Sequence, residues 1–331
     1  LIGQSLKHLR GVVAIIVQRF ATVENWTADE IVPQAGRLAL VTGGAGGVGY
    51  ETALGLARAG ADVIIADVRE AAGREAAARI RPLAPTALIR YERLDLASLS
   101  SVSGLAGRLI GAGRPIDVLI NAAGVQALPR RQVTTDGFEM QLAVNYLGHF
   151  ALTAQLLQLL RQSRQARVVQ VSSRVHRYGA ISFEDLHGER RYRPWAAHCQ
   201  SKLAMILFAI ELQRRSTAHG WGLVSSSAHP GYTQTSYFAN SGGLVSLLSL
   251  LSRTLGRLIN PSRETAALPA LFAATASRAA EPGGYYGPSG PFELVGPPGA
   301  ADLGDNAEDE EVARRLWVES EMLTRVQWPD E

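Results

Sequence analysis

Sulfur is scarce in this sequence, which has one cysteine, Cys199, and three methionines among 331 residues. A single thiol excludes an intrachain disulfide and leaves a sulfur-rich metal site without a second ligand. The histidines show neither His-Glu-x-x-His nor another compact ligand spacing, so no metal centre is expected. Excess charge is lacking too, with 33 basic against 30 acidic side chains. The pairs Arg130-Arg131, Arg190-Arg191 and Arg214-Arg215 stand apart without interleaved aromatics. Nucleic acid is therefore not an expected partner. Near the start, residues 11–17 (GVVAIIV) are apolar but too short to span a bilayer, and Arg10 and Arg19 bracket them. Packing against the core or an oligomer partner is expected there, with membrane-surface association as the alternative. No cleavable signal or transmembrane segment is read, and the lone cysteine fits an intracellular, cytoplasmic setting.

What is present can fill a sizeable core, since 47% of the residues are apolar. Apolar strand patterns alternate with longer helical ones and no internal repeat is visible. That pattern predicts an α/β fold, a doubly wound and mostly parallel Rossmann-type sheet with helices on both faces. The expected organisation is an N-terminal extension over 1–33, one domain over 34–296 and an acidic, helical C-terminal extension over 297–331. Thr27 and Glu30 have the spacing that caps a short helix before the domain begins.

The first strand pattern runs into a glycine-rich turn at residues 38–49, LALVTGGAGGVG, followed by a helical pattern over 50–59. Gly43, Gly47 and Gly49, with Val48 before the last, fit T-G-x-x-x-G-x-G. Missing side chains there let backbone approach a pyrophosphate, and the helix N-terminus points at its charge. The next strand, DVIIAD, ends on Asp67, placed to accept hydrogen bonds from an adenosine ribose. Such a carboxylate favours NAD over NADP, while Arg69 nearby leaves NADP open. A third strand over 88–95 leads to Asp95 and Leu96, and Asp95 also reads as a cap for a helix beginning near Ser98.

Further segments keep a consistent order: IDVLINAAG at 116–124, QLAVNY at 141–146, VVQVSS at 168–173, AAHCQSK at 196–202 and Pro230-Gly231. Together with the glycine turn they resemble the short-chain dehydrogenase/reductase family over roughly residues 36–295. The insertion between Ser173 and His198, with FEDLHGE at 183–189, is similar to the retinol-dehydrogenase-like and WW-domain-containing-oxidoreductase-like branch. The resemblance implies that Asp95 and Leu96 meet an adenine, and that Asn121, Ala122 and Gly124 shape the dinucleotide pocket, the Asn121 amide having backbone stabilisation as its alternative role. It also implies a catalytic group of Asn145, Ser173 and Lys202, the lysine binding the nicotinamide ribose as well. Pro230, Gly231, Thr233 and Thr235 would lie on the nicotinamide side.

One position departs from that pattern: His198 stands where the Tyr-x-x-x-Lys motif has tyrosine. Imidazole can donate or accept a proton near neutral pH but differs from phenol in reach and charge. Lys202, four residues on along the same helix face, opposes imidazolium and favours the neutral ring. Cys199 follows His198 directly, and successive helix residues do not face one another, so it reads as structural. His176, Tyr178, His187, Tyr192 and His229 also read as packing groups.

The leading expectation is an NAD(P)-dependent oxidoreductase, NAD-preferring, that interconverts a lipophilic alcohol and its carbonyl compound. Non-redox acid–base chemistry at His198 and an NAD-binding sensor are the alternatives. The apolar helical run at 244–259 suggests a substrate lid within about 232–262, with Leu244, Leu247, Leu248 and Leu251 on one side; a core or dimer-facing helix would show the same stripe. Residues 281–290 are rich in glycine and proline and read as a turn before the last strand. The acidic run 302–311 precedes an amphipathic helix over about 309–326, expected to cover the subunit or its neighbour in a homo-oligomer.

Overall fold

The computed structural model describes residues 26–231, 262–277 and 283–329. Among the described residues eight strands form one sheet in the order β3-β2-β1-β4-β5-β6-β7-β8. They are β1 Leu38–Thr42, β2 Asp62–Asp67, β3 Ile89–Arg93, β4 Val118–Asn121, β5 Arg167–Val171, β6 Val224–Ala228, β7 Tyr285–Pro288 and β8 Pro298–Ala300. All neighbours pair in parallel except β7 and β8. The fold is thus the expected Rossmann-type α/β sheet, with one antiparallel edge.

Strand alternation divides the core into two layers, because successive side chains leave opposite faces of a strand. Leu38, Leu40, Ile64, Leu119 and Val168 enter one apolar cluster. Ala39, Val41, Ile65, Val118 and Val169 enter the other. Helices α3 Leu99–Ala112, α4 Gly148–Arg161, α5 Pro194–Ala218 and α7 Glu310–Thr324 supply the first layer. Helices α1 Gly47–Arg58, α2 Glu70–Ile80 and α6 Arg263–Thr275 supply the second. Both faces of the central strands are dry, which is why they read as continuous apolar runs.

Several boundaries differ from the sequence expectation. Tyr285–Pro288, inside the segment read as a turn, is strand β7. Ser98 rather than Asp95 caps α3, its hydroxyl accepting from Ser101 N, while Asp95 closes the preceding turn by accepting from Ala97 N. The C-terminal helix packs into its own subunit: Trp317 and Trp328 sit 4.6 Å apart, ring to ring, and both meet Phe150 and Phe208. At the N-terminal side Glu30 accepts from Thr27 N, and Trp26 meets Phe272 edge-on. Residues 11–17, Thr233, Thr235 and nearly all of the proposed lid lie outside the described residues. Among the described residues no helix is long and apolar enough to cross a membrane, and no cluster of His, Cys, Asp or Glu could hold a metal ion.

Candidate active site

A cavity of about 1540 Å3 opens along the C-terminal ends of β1 to β6. The strand order reverses between β1 and β4, where connections depart to opposite sides and leave a crevice. Gly43, Gly47, Val48, Gly49, Asp67, Asp95, Leu96, Ala122 and Gly124 line it, followed by Ser173, His198, Lys202, Pro230 and Gly231. Sequence positions up to 251 residues apart, from Gly43 to Leu294, thus converge on one space.

The glycine turn is built by exclusion. Gly43 has φ +67°, and a Cβ there would stand 2.7 Å from the Ala123 Cα. A Cβ on Gly49 would stand 2.5 Å from the Gly43 carbonyl oxygen. Gly47 instead would place a Cβ in open space, on the cavity side of the α1 N-terminus. Backbone N–H groups and a helix N-terminus facing open volume suit a diphosphate. At the end of β2 the buried Asp67 carboxylate accepts from Arg69 N and Nε and, at 3.3 Å, from Ala45 N. The donor set therefore fits a dinucleotide, with Asp67 and the mostly exposed Arg69 side chain together at the end of β2.

Asn121 does not line the cavity, contrary to expectation. Its amide donates to Thr153 Oγ1 and Gln170 Oε1 in the core behind the strand. Ala122 and Ala123 turn the chain outward by donating their N–H groups to Thr42 Oγ1. Thr42 Oγ1 also meets His149 Nε2 at 2.8 Å, and His149 Nδ1 meets the Asn145 carbonyl at 2.9 Å. A carbonyl only accepts, so Nδ1 carries the proton and Nε2 accepts from Thr42. Burial, with a smaller push from the Lys202 charge, holds His149 neutral by lowering its pKa to about 4.

Asn145 lies in a π-turn, Ala143–Leu147, ahead of α4. Its side chain accepts from Val125 N and donates to Val125 O and Ser201 Oγ. It thereby ties the loop after β4 to α5, the helix that carries His198 and Lys202. Lys202 Nζ donates to Val171 O at 3.0 Å, and burial lowers its pKa to about 8. Ser172 donates to the Lys202 carbonyl, whereas Ser173 Oγ has only a 3.5 Å contact from Val175 N. Ser173 is thus the member of the pair whose hydroxyl stays available in the cavity wall.

His198 is 95% buried, being 5% exposed, and lines the same cavity. Burial first and the Lys202 charge second lower its pKa to about 3, against a weaker pull from a hydrogen bond to the Val125 backbone. Its Nδ1 is buried without a hydrogen-bond partner. Cys199 is buried as well, and burial pushes its thiol up to about 11, which leaves it unreactive. His176 bonds the Ser173 and Leu303 carbonyls, and Tyr192 donates to Leu128 O. His187 stacks on Phe138, while Tyr178 is exposed at the cavity mouth.

Arg174, Arg177, Trp195 and Leu294 also line the cavity but were not singled out by the sequence. Arg174 and Arg177 follow Ser173 closely, and that proximity is the one signal that could have found them. Leu294 comes from the β7–β8 connection, whose approach to the site depends on tertiary pairing alone.

The family model described as short chain dehydrogenase matches residues 37–242. Polyprenol dehydrogenase of Mus musculus is 42% identical over 327 residues, covering 98% of this chain and 90% of the relative. Human retinol dehydrogenase 13 is 40% identical over 321 residues, covering 96% and 92% respectively. Among solved structures, an uncharacterized Mycobacterium paratuberculosis protein superposes with TM-score 0.76 at 37% identity, covering 92% of this chain and 99% of that one. Pseudomonas aeruginosa RhlG, solved as an NADP active-site complex, gives TM-score 0.59 at 26% identity over 76% of this chain and 94% of its own. The glycine turn, the sheet order and these likenesses agree, and the chain belongs to the short-chain dehydrogenase family of NAD(P)-binding oxidoreductases.

Proposed function

We propose that this protein interconverts a lipophilic alcohol and its carbonyl compound, with NAD preferred over NADP, and that His198 takes the proton-transfer role. The observation that carries this reading is the shared cavity wall of Ser173, His198 and Lys202 beside an open glycine turn. Relatives named for polyprenol and retinol support a long apolar substrate. When bound, the nicotinamide would accept or supply the hydride. Gly43, Gly47, Val48, Gly49, Asp67, Asp95, Leu96, Ala122, Gly124, Pro230 and Gly231 would hold the dinucleotide, with Lys202 Nζ on the nicotinamide ribose as a contact turnover requires and Thr233 and Thr235 proposed from sequence. NAD preference rests on the Asp67 carboxylate, which would repel a 2′-phosphate. A homo-oligomer with peripheral membrane association remains part of this proposal.

Proton management falls to this chain's own groups. Ser173 Oγ would hold the substrate oxygen. A neutral His198 keeps one ring nitrogen as a lone-pair acceptor, the property needed to take an alcohol proton. The Lys202 ammonium opposes that step, because it disfavours imidazolium. Alcohol oxidation should therefore accelerate as pH rises through about 8, where Lys202 loses its proton. Asn145 would act as a positioning residue, holding the β4 loop against α5.

The test is cofactor-coupled turnover of lipophilic alcohols and carbonyls in both directions, with His198→Tyr as the matched comparison. Turnover by the parent protein, rising through about pH 8 in oxidation, supports the reading. Turnover by the tyrosine variant alone supports a second reading, a nucleotide-binding protein with a disabled redox site. The low basicity of His198, which leaves no proton to donate in reduction, is what favours that second reading.

A further inference from the structure

The cavity wall beyond Ser173 carries two cations, Arg174 and Arg177, whose side chains are 30% and 25% exposed. Their counter-charge comes from far along the chain. Glu293 Oε2 lies 3.0 Å from Arg177 Nη2 and 3.5 Å from Arg174 Nε. The same oxygen is 3.4 Å from His229 Nε2, and Glu293 Oε1 accepts from Asp302 N. Burial alone would raise the Glu293 carboxyl, but His229, the Asp302 N–H and Arg177 hold it down at about 2. It is ionised throughout the working range.

The backbone is shaped to deliver this carboxylate. Phe292 and Glu293 have φ of +54° and +53°, two consecutive non-glycine residues in the left-handed region. Such conformations persist only where the surroundings over-determine them, and they concentrate at functional sites. The adjoining Leu294 lines the cavity, and its carbonyl oxygen would meet a Cβ on Gly231 at 2.5 Å. Arg174 Nε and Arg177 Nε are buried donors without a hydrogen-bond partner.

We infer that Glu293 is a specificity-determining residue: its carboxylate, with the exposed Asp302 as the second counter-charge, offsets Arg174 and Arg177 so that the wall accepts uncharged alcohols and carbonyls rather than amphipathic anions. This inference rests on the lipophilic-substrate reading above and adds the residue that enforces it. Without the carboxylate, Arg174 loses its counter-ion and Arg177 keeps only the exposed Asp302, so the guanidinium groups beside an apolar cavity become a carboxylate- or phosphate-binding wall.

The experiment compares binding of decanoate and decan-1-ol, by calorimetry with saturating NADH, which cannot react with either, in the parent, Glu293→Gln and Glu293→Asp. The Gln variant should bind decanoate about tenfold or more tightly than the parent, with decan-1-ol little changed, and the Asp variant should restore the parent's discrimination. A Gln variant that melts and binds NADH like the parent, yet gains no decanoate affinity, overturns the inference. If the Gln variant does not fold, Asp302→Asn decides. Asp302 Oδ2 is 3.5 Å from Arg177 and exposed, so its removal should strengthen decanoate binding in the same direction, about twofold, and no gain overturns the inference. A parent that binds NADH but not decan-1-ol overturns the lipophilic-substrate reading first, and this inference with it. Discrimination that is intact in the parent and unmoved by the variants overturns the role of Glu293 alone.

Discussion

His198 and Lys202 are the residues where folding and chemistry conflict most. Burial keeps His198 and His149 at pKa values of about 3 and 4 against an ordinary 6.5. Below pH 6.5 the unfolded chain binds protons that these folded imidazoles refuse, so stability falls as pH drops toward 4. Replacing His198 by tyrosine removes one such group. Urea unfolding between about pH 6 and 4 should then show a slope shallower by roughly 1.4 kcal/mol per pH unit. Lys202 works at the other end of the scale: held near 8 rather than 10.5, its charged form is costly to the fold below pH 8, and parent stability rises between those values. Lys202→Met should stabilise the protein at pH 7 by about 1–3 kcal/mol, with the gain closing by about pH 10.5. The same variant should abolish turnover, which separates a catalytic cost from a structural one.

At the level of elements, the strand-to-turn segments were the most legible part of the sequence. The β1–α1 unit announces itself because three glycines are each needed for a local reason, at Gly43 and Gly49 close packing and at Gly47 an open face. The end of β2 is similar, since an acid closing an apolar run is visible without the fold. Asp67→Ala should weaken NAD+ binding and strengthen NADP+ binding, because it frees the Arg69 guanidinium that now bonds the carboxylate. Fluorescence titration with both nucleotides checks the direction, and unchanged selectivity would remove Asp67 from the ribose site. Strand β7 was hidden, because Gly284, Gly287 and Pro288 read as turn punctuation. What makes it a strand is tertiary: Tyr285 and Tyr286 enter opposite core layers as β7 pairs with β6. The Asn121 amide was misread for a related reason, since its partners Thr153 and Gln170 become neighbours only once the sheet and α4 are packed.

The whole molecule depends on its last described segment as much as on its dinucleotide half. Trp317 is 1% exposed and meets Phe150, Phe208 and Trp328, with the Arg215 guanidinium 4.4 Å from the ring centroid. Trp317→Ala should cost about 3–5 kcal/mol by leaving a large cavity under α4 and α5. Chemical denaturation measures that loss, and a cost under about 1 kcal/mol would mean the helix is peripheral. The same end of the chain supplies Leu294 to the cavity wall and Glu293 to the arginines on it, so the sheet edge and the site share one segment. Family membership was legible as a series of short segments in order, whereas the charge balance of the cavity wall appears only in three dimensions. The most direct test of the central claim uses stoichiometric parent protein, NAD+ and decan-1-ol deuterated at its carbinol carbon, with mass spectrometry of the recovered nucleotide. Deuterium on the nicotinamide together with an equal amount of decanal, both lost in Lys202→Met, is the outcome the account predicts. Bound NAD+ recovered without deuterium, from protein that holds the alcohol, would contradict hydride transfer at a site built around His198.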